Sequence, residues 1–402
     1  MSGSRDIFIV SNSTDELGGV TGWMHRTAQL FQEAGHRVHT VGVHAAERKM
    51  ALPDPPGYPV TALYPAHPPT PWAPRDLRDR FRIAARRAEA RRVVRKRRAV
   101  DRLSEIFRAA RPGGVVIVTQ VWAMEWVGEA DTAGLRVIGM SHESYDYSRA
   151  SHRYRWIRNH YPALDHWLVL TAEDADKWAG DGMNNVGFMP NALAGLPDVP
   201  SPRREKSVAS IGRLTDQKGI DMLLDAWALV APQRPDWRLD VYGTGEDEAE
   251  LRTLCTALGL DGSVDWRGRT DDVPGALADS SVFVQSSRGE GFPLALLEAM
   301  ASGVPCAAFD CAPGVREIIR DGEDGLLAPA GDIGALADRL LRLTGNPRMR
   351  DAMGDRARAN VQRFSEAETM GRWEELFALL LVADRRTPPR LPAPRWPPRP
   401  GS

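Results

Sequence analysis

Short apolar runs alternate with stretches whose apolar positions recur every three or four residues, and this alternation continues through most of the chain. The first half reads as strands at 7–10, 37–43, 115–118, 136–140 and 167–170, with helices over about 20–34 and 172–179. That order predicts a parallel sheet wrapped by helices. After Met189-Pro190-Asn191 the pattern restarts, with strand 207–211, helix 220–231, strand 237–242, helix 246–258, strand 263–267 and strands 281–284 and 304–309. The reading is α/β: two doubly wound, Rossmann-like parallel-sheet domains, 1–190 and 191–364, with Pro190 to Pro202 as hinge and a cleft between them. Ala367 to Ala383 predicts a further helix carrying Trp373, Leu376, Phe377 and Leu380, so that 365–385 stands apart from both sheets. From 386 to 402, Pro388-Pro389, Pro392, Pro394, Pro397-Pro398 and Pro400 preclude regular packing and predict a disordered extended tail, with Trp396 as a candidate docking residue inside it.

Composition narrows the classes. A length of 402 residues is room for two domains with a sizeable core each. Three cysteines, Cys255, Cys306 and Cys311, are odd in number and not at metal-ligand spacing, which points to a reducing compartment with no disulfide framework or zinc site. Ile7-Phe8-Ile9-Val10 reads as a first strand without a leader, and no apolar run approaches the roughly 18–20 residues that cross a bilayer, so any membrane contact is peripheral. The net charge of −1 hides one dense basic segment, Arg75 to Arg111, with Arg86-Arg87, Arg91-Arg92 and Arg95-Lys96-Arg97-Arg98. Leu77, Phe81, Ala84, Ala85 and Ala88, then Val100, Leu103, Ile106 and Phe107, recur at helical spacing among these charges and predict one or two amphipathic helices. No aromatic-interleaved basic platform or helix-turn-helix appears, and nucleic acid is not an expected partner.

Chemistry concentrates at turns that follow strands, where open α/β sheets bind their ligands. Glu290-Gly291-Phe292-Pro293-Leu294 leads into a helix that also carries Glu298, with Pro293 pre-organised for its first turn and the start expected near Gly291. The free N–H groups and positive dipole end there suit an anion such as a diphosphate, flanked by two carboxylates suited to sugar and ribose hydroxyls. Upstream, Gly212-Arg213 to Lys218-Gly219 sets two cations in a strand-to-helix turn, Arg as a planar fork and Lys as a point charge for a pyrophosphate. Gly18-Gly19 after the first strand lets backbone approach a phosphate closely, with Trp23 just beyond. Ser141-His142-Glu143-Ser144-Tyr145 follows another strand; His142 is a candidate site residue, Glu143 a lesser one, and Tyr145 and Tyr147 either stack on a sugar or pack. Asp174-Ala175-Asp176 imitates a metal-binding pair, yet with Thr171 and Glu173 it falls at a helix start, where it favours the cap and the dipole.

In order and spacing, Gly212-Arg213 to Lys218-Gly219, Tyr242-Gly243-Thr244-Gly245, and Glu290-Gly291-Phe292-Pro293 to Glu298 resemble the retaining glycosyltransferases of family four. Ala307 to Ile319, through Asp310-Cys311-Ala312-Pro313-Gly314-Val315-Arg316-Glu317, and Asp321-Gly322-Glu323-Asp324-Gly325-Leu326-Leu327 resemble that family's continuation, nearest the bacterial polyol-phosphate and surface-glycan α-glycosyltransferases. The resemblance implies the GT-B fold, with the last helix crossing back to the N-terminal domain. It implies transfer of a hexose from a nucleotide diphosphate sugar to an acceptor hydroxyl with retention, giving an α-glycoside by front-face attack, with no cofactor and no obligatory metal.

Carried over residue by residue, His142 contacts the transferred sugar, Glu290 orients its hydroxyls, and Glu298 takes the ribose diol. Arg213 and Lys218 stabilise the leaving diphosphate. Gly18, Gly19, Gly291, Phe292, Pro293 and Leu294 line the donor, and Arg267 and Arg269 stand where this family reads the base. UDP is expected over GDP or ADP because that subgroup mainly uses UDP-hexoses. The same resemblance implies an enzyme of glycan biosynthesis, which the cysteine usage places in the cytoplasm; the basic helical segment 75–111 reads from its own residues as a solvated face, or as a contact for an anionic membrane or an anionic or lipid-linked acceptor. The rivals are a GDP-sugar mannosyltransferase, a 2-epimerase-type isomerase and a non-catalytic sugar-nucleotide-binding protein.

Overall fold

The computed structural model describes residues 3–16, 18–47, 56–72 and 82–380 in full and 381–383 by backbone alone. Leu17, the start of the basic segment at 75–81 with Leu77 and Phe81, and the Pro-rich 386–402 with Trp396 lie outside the described residues. Two sheets organise the rest. The first contains β1 (Asp6–Ser13), β2 (Arg37–His44), β3 (Val60–Tyr64), β4 (Val115–Val118), β5 (Arg136–Met140), β6 (His166–Val169) and β7 (Val186–Phe188). The second contains β8 (Ser207–Ile211), β9 (Arg238–Tyr242), β10 (Val264–Gly268), β11 (Val282–Gln285), β12 (Cys306–Asp310) and β13 (Gly325–Pro329).

Spatial order is β3-β2-β1-β4-β5-β6-β7 in one and β10-β9-β8-β11-β12-β13 in the other, and the neighbouring strands run parallel. Each sheet starts in its middle, winds to one edge and then returns to fill the other side. The winding therefore reverses between β1 and β4 and between β8 and β11, and a crevice opens at the carboxyl ends of these pairs. The central strands carry the continuous apolar runs that burial on both faces demands: Val115–Val118 and Val282–Gln285 are buried at every position.

The last helix, Glu366–Ala383, leaves the second domain and packs on the first. Trp373, Leu376, Phe377 and Leu380 share one core cluster with Ile7, Ile9, Met24 and Phe31. Arg26 clamps Glu366 from the helix Gly19–Glu33, and His36 Nε2 lies 2.6 Å from Glu374. A second tie crosses the cleft, where Arg316 on the helix Pro313–Ile318 holds Glu173 of the N-terminal domain with bonds of 2.9 and 3.1 Å. Among the described residues no helix is long and apolar enough to cross a membrane.

Candidate functional site

Between the two switch points lies a cleft of about 1090 Å³, lined from one side by the turns after β1 and β5 and from the other by those after β8, β9 and β11. Gly18 and Gly19 open the helix Gly19–Glu33, which has neither a side-chain cap nor an acid in its first turn. A Cβ on either glycine would meet nothing, so backbone N–H groups and the positive dipole end face the cleft unobstructed.

His142 follows β5, with its ring edge-on to Trp23 at 4.9 Å between centroids. Its Nε2 is buried and has no hydrogen-bond partner among the described residues. Burial pushes the imidazole down to about 4, so the ring is neutral at physiological pH and its free nitrogen is available to a hydroxyl. Trp23 serves both as core, 8% exposed, and as cleft wall. Glu143 lines the cleft and pairs through Oε1 with Arg153, while its Oε2 is buried with no hydrogen-bond partner among the described residues; Tyr145 is buried with its hydroxyl donated to Asp181 at 2.9 Å. Tyr147 stands 45% exposed at the cleft.

On the facing wall Lys218 Nζ donates to Glu290 Oε1 at 2.6 Å, and Ser287 Oγ donates to the same oxygen at 2.6 Å. Glu290 is only 8% exposed, and its Oε2 is left to the cleft. Arg213 is exposed on the cleft wall, and its side chain makes no hydrogen bond or ion pair with the described residues. Backbone holds this wall together. The N–H of Leu214 donates to the Thr244 carbonyl at 3.0 Å, and a Cβ on Gly243 or Gly245 would overlap the carbonyl oxygen of Gly212 or Leu214. Two neighbouring turns thus pack closer than any side chain permits, which fixes the backbone on either side of Arg213.

The turn 290–293 differs from the sequence expectation. The helix begins at Leu294, with Pro293 as its extended N-cap (ψ 113°), rather than near Gly291. The cause lies outside the helix: Asn191 Nδ2 takes the Phe292 carbonyl at 3.0 Å, and Phe292 packs on Phe364 at 5.2 Å. Gly291 is wedged, since a Cβ there would overlap the carbonyl oxygen of His142. Glu298 lies farther along this helix and lines the same cleft, where burial lifts its carboxyl to about 7. Two site residues escaped the sequence reading. Asn191 follows the hinge Pro190, and Gln285 at the end of β11 turns a buried, unpartnered Nε2 in the cleft.

Gly18, Gly19, His142, Arg213, Lys218, Arg269, Glu290, Gly291, Phe292, Pro293, Leu294 and Glu298 all line the cleft. Arg267 does not. It sits on the edge strand β10 with Nε 2.6 Å from Asp240, a buried carboxylate that requires a cation, and so its charge is already used. Arg269 reaches the cleft but is paired with Asp271 at 2.8 Å. Thr171 caps the helix that follows it by accepting from the Asp174 N–H at 3.0 Å, and the buried Asp174 carboxylate accepts from the Tyr145 N–H at 2.8 Å and from Thr171 Oγ1 at 2.6 Å, while Asp176 is exposed beyond it. Among the described residues no group of three or more His, Cys, Asp or Glu could hold a metal ion.

Comparison with known proteins agrees with this geometry. Residues 197–360 match the family described as glycosyl transferases group 1. An exopolysaccharide phosphotransferase of Streptomyces coelicolor is 37% identical over 242 residues, covering 58% of this chain and 25% of that protein. An uncharacterized glycosyltransferase of Haemophilus influenzae is 33% identical over 215 residues, 53% of this chain and 61% of that protein. This chain thus spans only a quarter and about three fifths of these two relatives. Among solved structures, a Staphylococcus aureus TarM mutant in complex with fondaparinux, alpha-GlcNAc-glycerol and UDP superposes with a TM-score of 0.74 at 16% identity, over 93% of this chain and 99% of that one. The stretch that carries Arg213, Lys218 and Glu290 thus matches the group 1 glycosyl transferases, in a chain with the two-domain GT-B fold.

Proposed function

We propose that this chain is a retaining hexosyltransferase of the family-four type. It moves a hexose from UDP-hexose to an acceptor hydroxyl in the synthesis of a surface glycan or teichoic-acid-like polymer, in the cytoplasm and without an obligatory metal. The observation that carries the reading is the unpaired Arg213 beside the Lys218–Glu290 pair, facing the uncapped helix start at Gly18-Gly19. Three sources of positive potential line one cleft, and two carboxylates, Glu290 and Glu298, line it with them. A nucleoside diphosphate sugar matches that order: diphosphate at the cations, ribose at Glu298, hexose between Glu290 Oε2 and His142.

Leaving-group departure breaks the bond from the anomeric carbon to the diphosphate oxygen. The acceptor oxygen bonds to that carbon on the same face, and its proton passes to the departing oxygen. Lys218, tied to Glu290, is held before the reaction and, with the unpaired Arg213 beside it, meets charge that grows on the diphosphate, which is where preorganised electrostatics lower a barrier most. Neutral His142 holds a sugar hydroxyl without opposing the oxocarbenium character of the ring. The reading of UDP rests on the family resemblance and on the UDP held by the TarM structure.

Purified protein incubated with UDP-, GDP- and ADP-sugars, with and without EDTA and with water as acceptor, tests this. Release of UDP from one donor, unchanged by EDTA, with an α-configured sugar as the first product by proton NMR, is the expected result. A β product, or activity that EDTA abolishes and a divalent ion restores, overturns retention or metal independence respectively.

A further inference from the structure

The helix Ile83–Arg108 plays no part in the cleft wall, and its first half presents a face that is exposed among the described residues. Its second half is buried: Ala99, Val100, Leu103 and Phe107 pack with Phe8, Val41 and Val116 of the N-terminal sheet. The helix runs from beyond β3 back to the start of β4, antiparallel to the strands, so its first half lies at their carboxyl ends. Lys96 marks the crossing, pairing with Glu125 at 2.6 Å and Glu129 at 2.8 Å in the segment after β4. Residues 83–95 continue past that point by about 20 Å at 1.5 Å per residue.

One side of this arm is satisfied, because Glu89 accepts from Arg92 and from the Trp72 N–H. On the opposite side Ile83, Ala90 and Val94 fall in line at helical spacing. Ile83 is 64% exposed, Val93 53% and Val94 51%. Arg86 and Arg97 border the line on one flank, Arg87, Arg91 and Arg98 on the other. Arg86, Arg87, Arg91 and Arg98 form no ion pair among the described residues, and Arg97 reaches only Asp101, at 3.9 Å.

We propose that this arm docks the protein on an anionic lipid bilayer, with Ile83, Val93 and Val94 in the headgroup boundary and the flanking arginines on lipid phosphates. Both halves of the pattern are then used. A soluble polyanion matches the arginines and leaves the aliphatic line in water, and a second copy of this chain would set arginine rows against each other. The arm stands at the same end of the N-terminal sheet as the cleft. If the transferase reading holds, docking turns the cleft mouth toward the surface on which a lipid-linked acceptor is anchored; the docking itself does not rest on that reading.

The test is co-sedimentation of the full chain with vesicles of one part phosphatidylglycerol to two parts phosphatidylcholine, against vesicles of phosphatidylcholine alone. Binding is expected only to the anionic vesicles. Arg87→Glu/Arg91→Glu/Arg98→Glu should lower partitioning on the order of a hundredfold, and Ile83→Asp/Val94→Asp should lower it as well. Ile83→Ser/Val94→Ser, which leaves net charge unchanged, should still lower it severalfold. Absence of wild-type binding to anionic vesicles, with folding verified by circular dichroism, overturns the proposal. So does a serine variant that binds like wild type, which makes the arm a polyanion site, or a wild-type dimer by sedimentation that the serine variant disperses. Donor hydrolysis in the absence of lipid is measured in parallel: its failure refutes the transferase reading and leaves the vesicle result standing.

Discussion

Lys218→Met separates the structural from the chemical use of one charge. Methionine keeps most of the unbranched stem and removes the ammonium group, which lies 2.6 Å from Glu290 with side-chain exposures of 24% for Lys218 and 8% for Glu290. Glu290 retains the Ser287 hydroxyl at 2.6 Å, so one of two donors to Oε1 is lost. Depriving a buried acceptor of a partner costs about 1–3 kcal/mol, and the partial exposure of Lys218 places this case at the low end. For a domain of this size that is a shift in melting temperature of roughly 2–4 °C.

The chemical loss should be larger. A fixed donor aimed at developing charge contributes about 3–4 kcal/mol, so kcat for UDP release falls on the order of a hundredfold to a thousandfold. The Kd for intact UDP-hexose changes much less, because charge on the leaving group grows only toward the transition state. The assay is UDP release well below the melting temperature, with calorimetry and donor titration on the same samples. Combining the substitution with Glu290→Gln completes a cycle: shared loss of one bond makes the stability effects less than additive. If kcat falls only in step with folded fraction and recovers on cooling, Lys218 is merely the partner of Glu290 and the assignment fails.

Burial lifts the Glu298 carboxyl from 4.5 to about 7, so the folded chain holds a proton that the unfolded chain releases, and stability falls as pH rises through that window, by up to ~3 kcal/mol. Glu298→Gln should therefore melt above wild type at alkaline pH and converge with it toward acid pH, and parallel melting curves across the range would refute the burial argument. In UDP titrations the same variant should weaken binding and flatten a pH dependence in which wild-type affinity increases as the carboxylate ionises. Gly291→Ala forces a methyl into the His142 carbonyl; donor affinity should drop at least tenfold, on the order of the 1–3 kcal/mol cost of overpacking, whereas an unaffected Kd would mean that the two loops are not held together in solution. Arg267→Ala strips the buried Asp240 of its cation and should cost about 1–3 kcal/mol of stability by denaturant titration, with the Kd for UDP unchanged; a loss of UDP affinity would return Arg267 to the base site.

What the chain discloses in one dimension depends on how many sides of an element are covered. β1, β4, β8 and β11 are central, packed on both faces, and their uninterrupted apolar runs announce them. The three strands that periodicity missed, β3, β7 and β13, are sheet edges. Val60–Tyr64 has no buried position and Val186–Phe188 none either, so their sequences carry little of the strand pattern. The helix Glu366–Ala383 was legible because its aromatic face is unusable without a partner. In the site, charged residues at turns after central strands were legible from type and position alone. Arg267 was not, because its neighbour Asp240 faces it from another strand, and only the pairing of β9 with β10 shows where that arginine is directed.

Gly291 joins these observations. It is not among the glycines with positive φ, so no turn requires it for conformational freedom. What requires it is space: the His142 carbonyl of the N-terminal domain lies where a Cβ would be, and a Cβ on Gly314 would in turn overlap the Gly291 carbonyl. Asn191, the first residue past the hinge proline, donates to the adjacent Phe292 carbonyl. The turn that presents Glu290 is thus shaped by the opposite domain and by the hinge, not by its own helix, which starts only at Leu294. Parting the domains at the hinge would release the His142 carbonyl from Gly291, loosen the Phe292 anchor and leave Glu290 tied only to Lys218 and Ser287. The Arg288 N–H donates to the Gln217 carbonyl at 2.9 Å and Gln217 Nε2 to the Gly289 carbonyl at 3.0 Å, so the turn that presents Glu290 is joined to the one that carries Arg213 and Lys218, and whatever moves Gly291 against His142 bears on both.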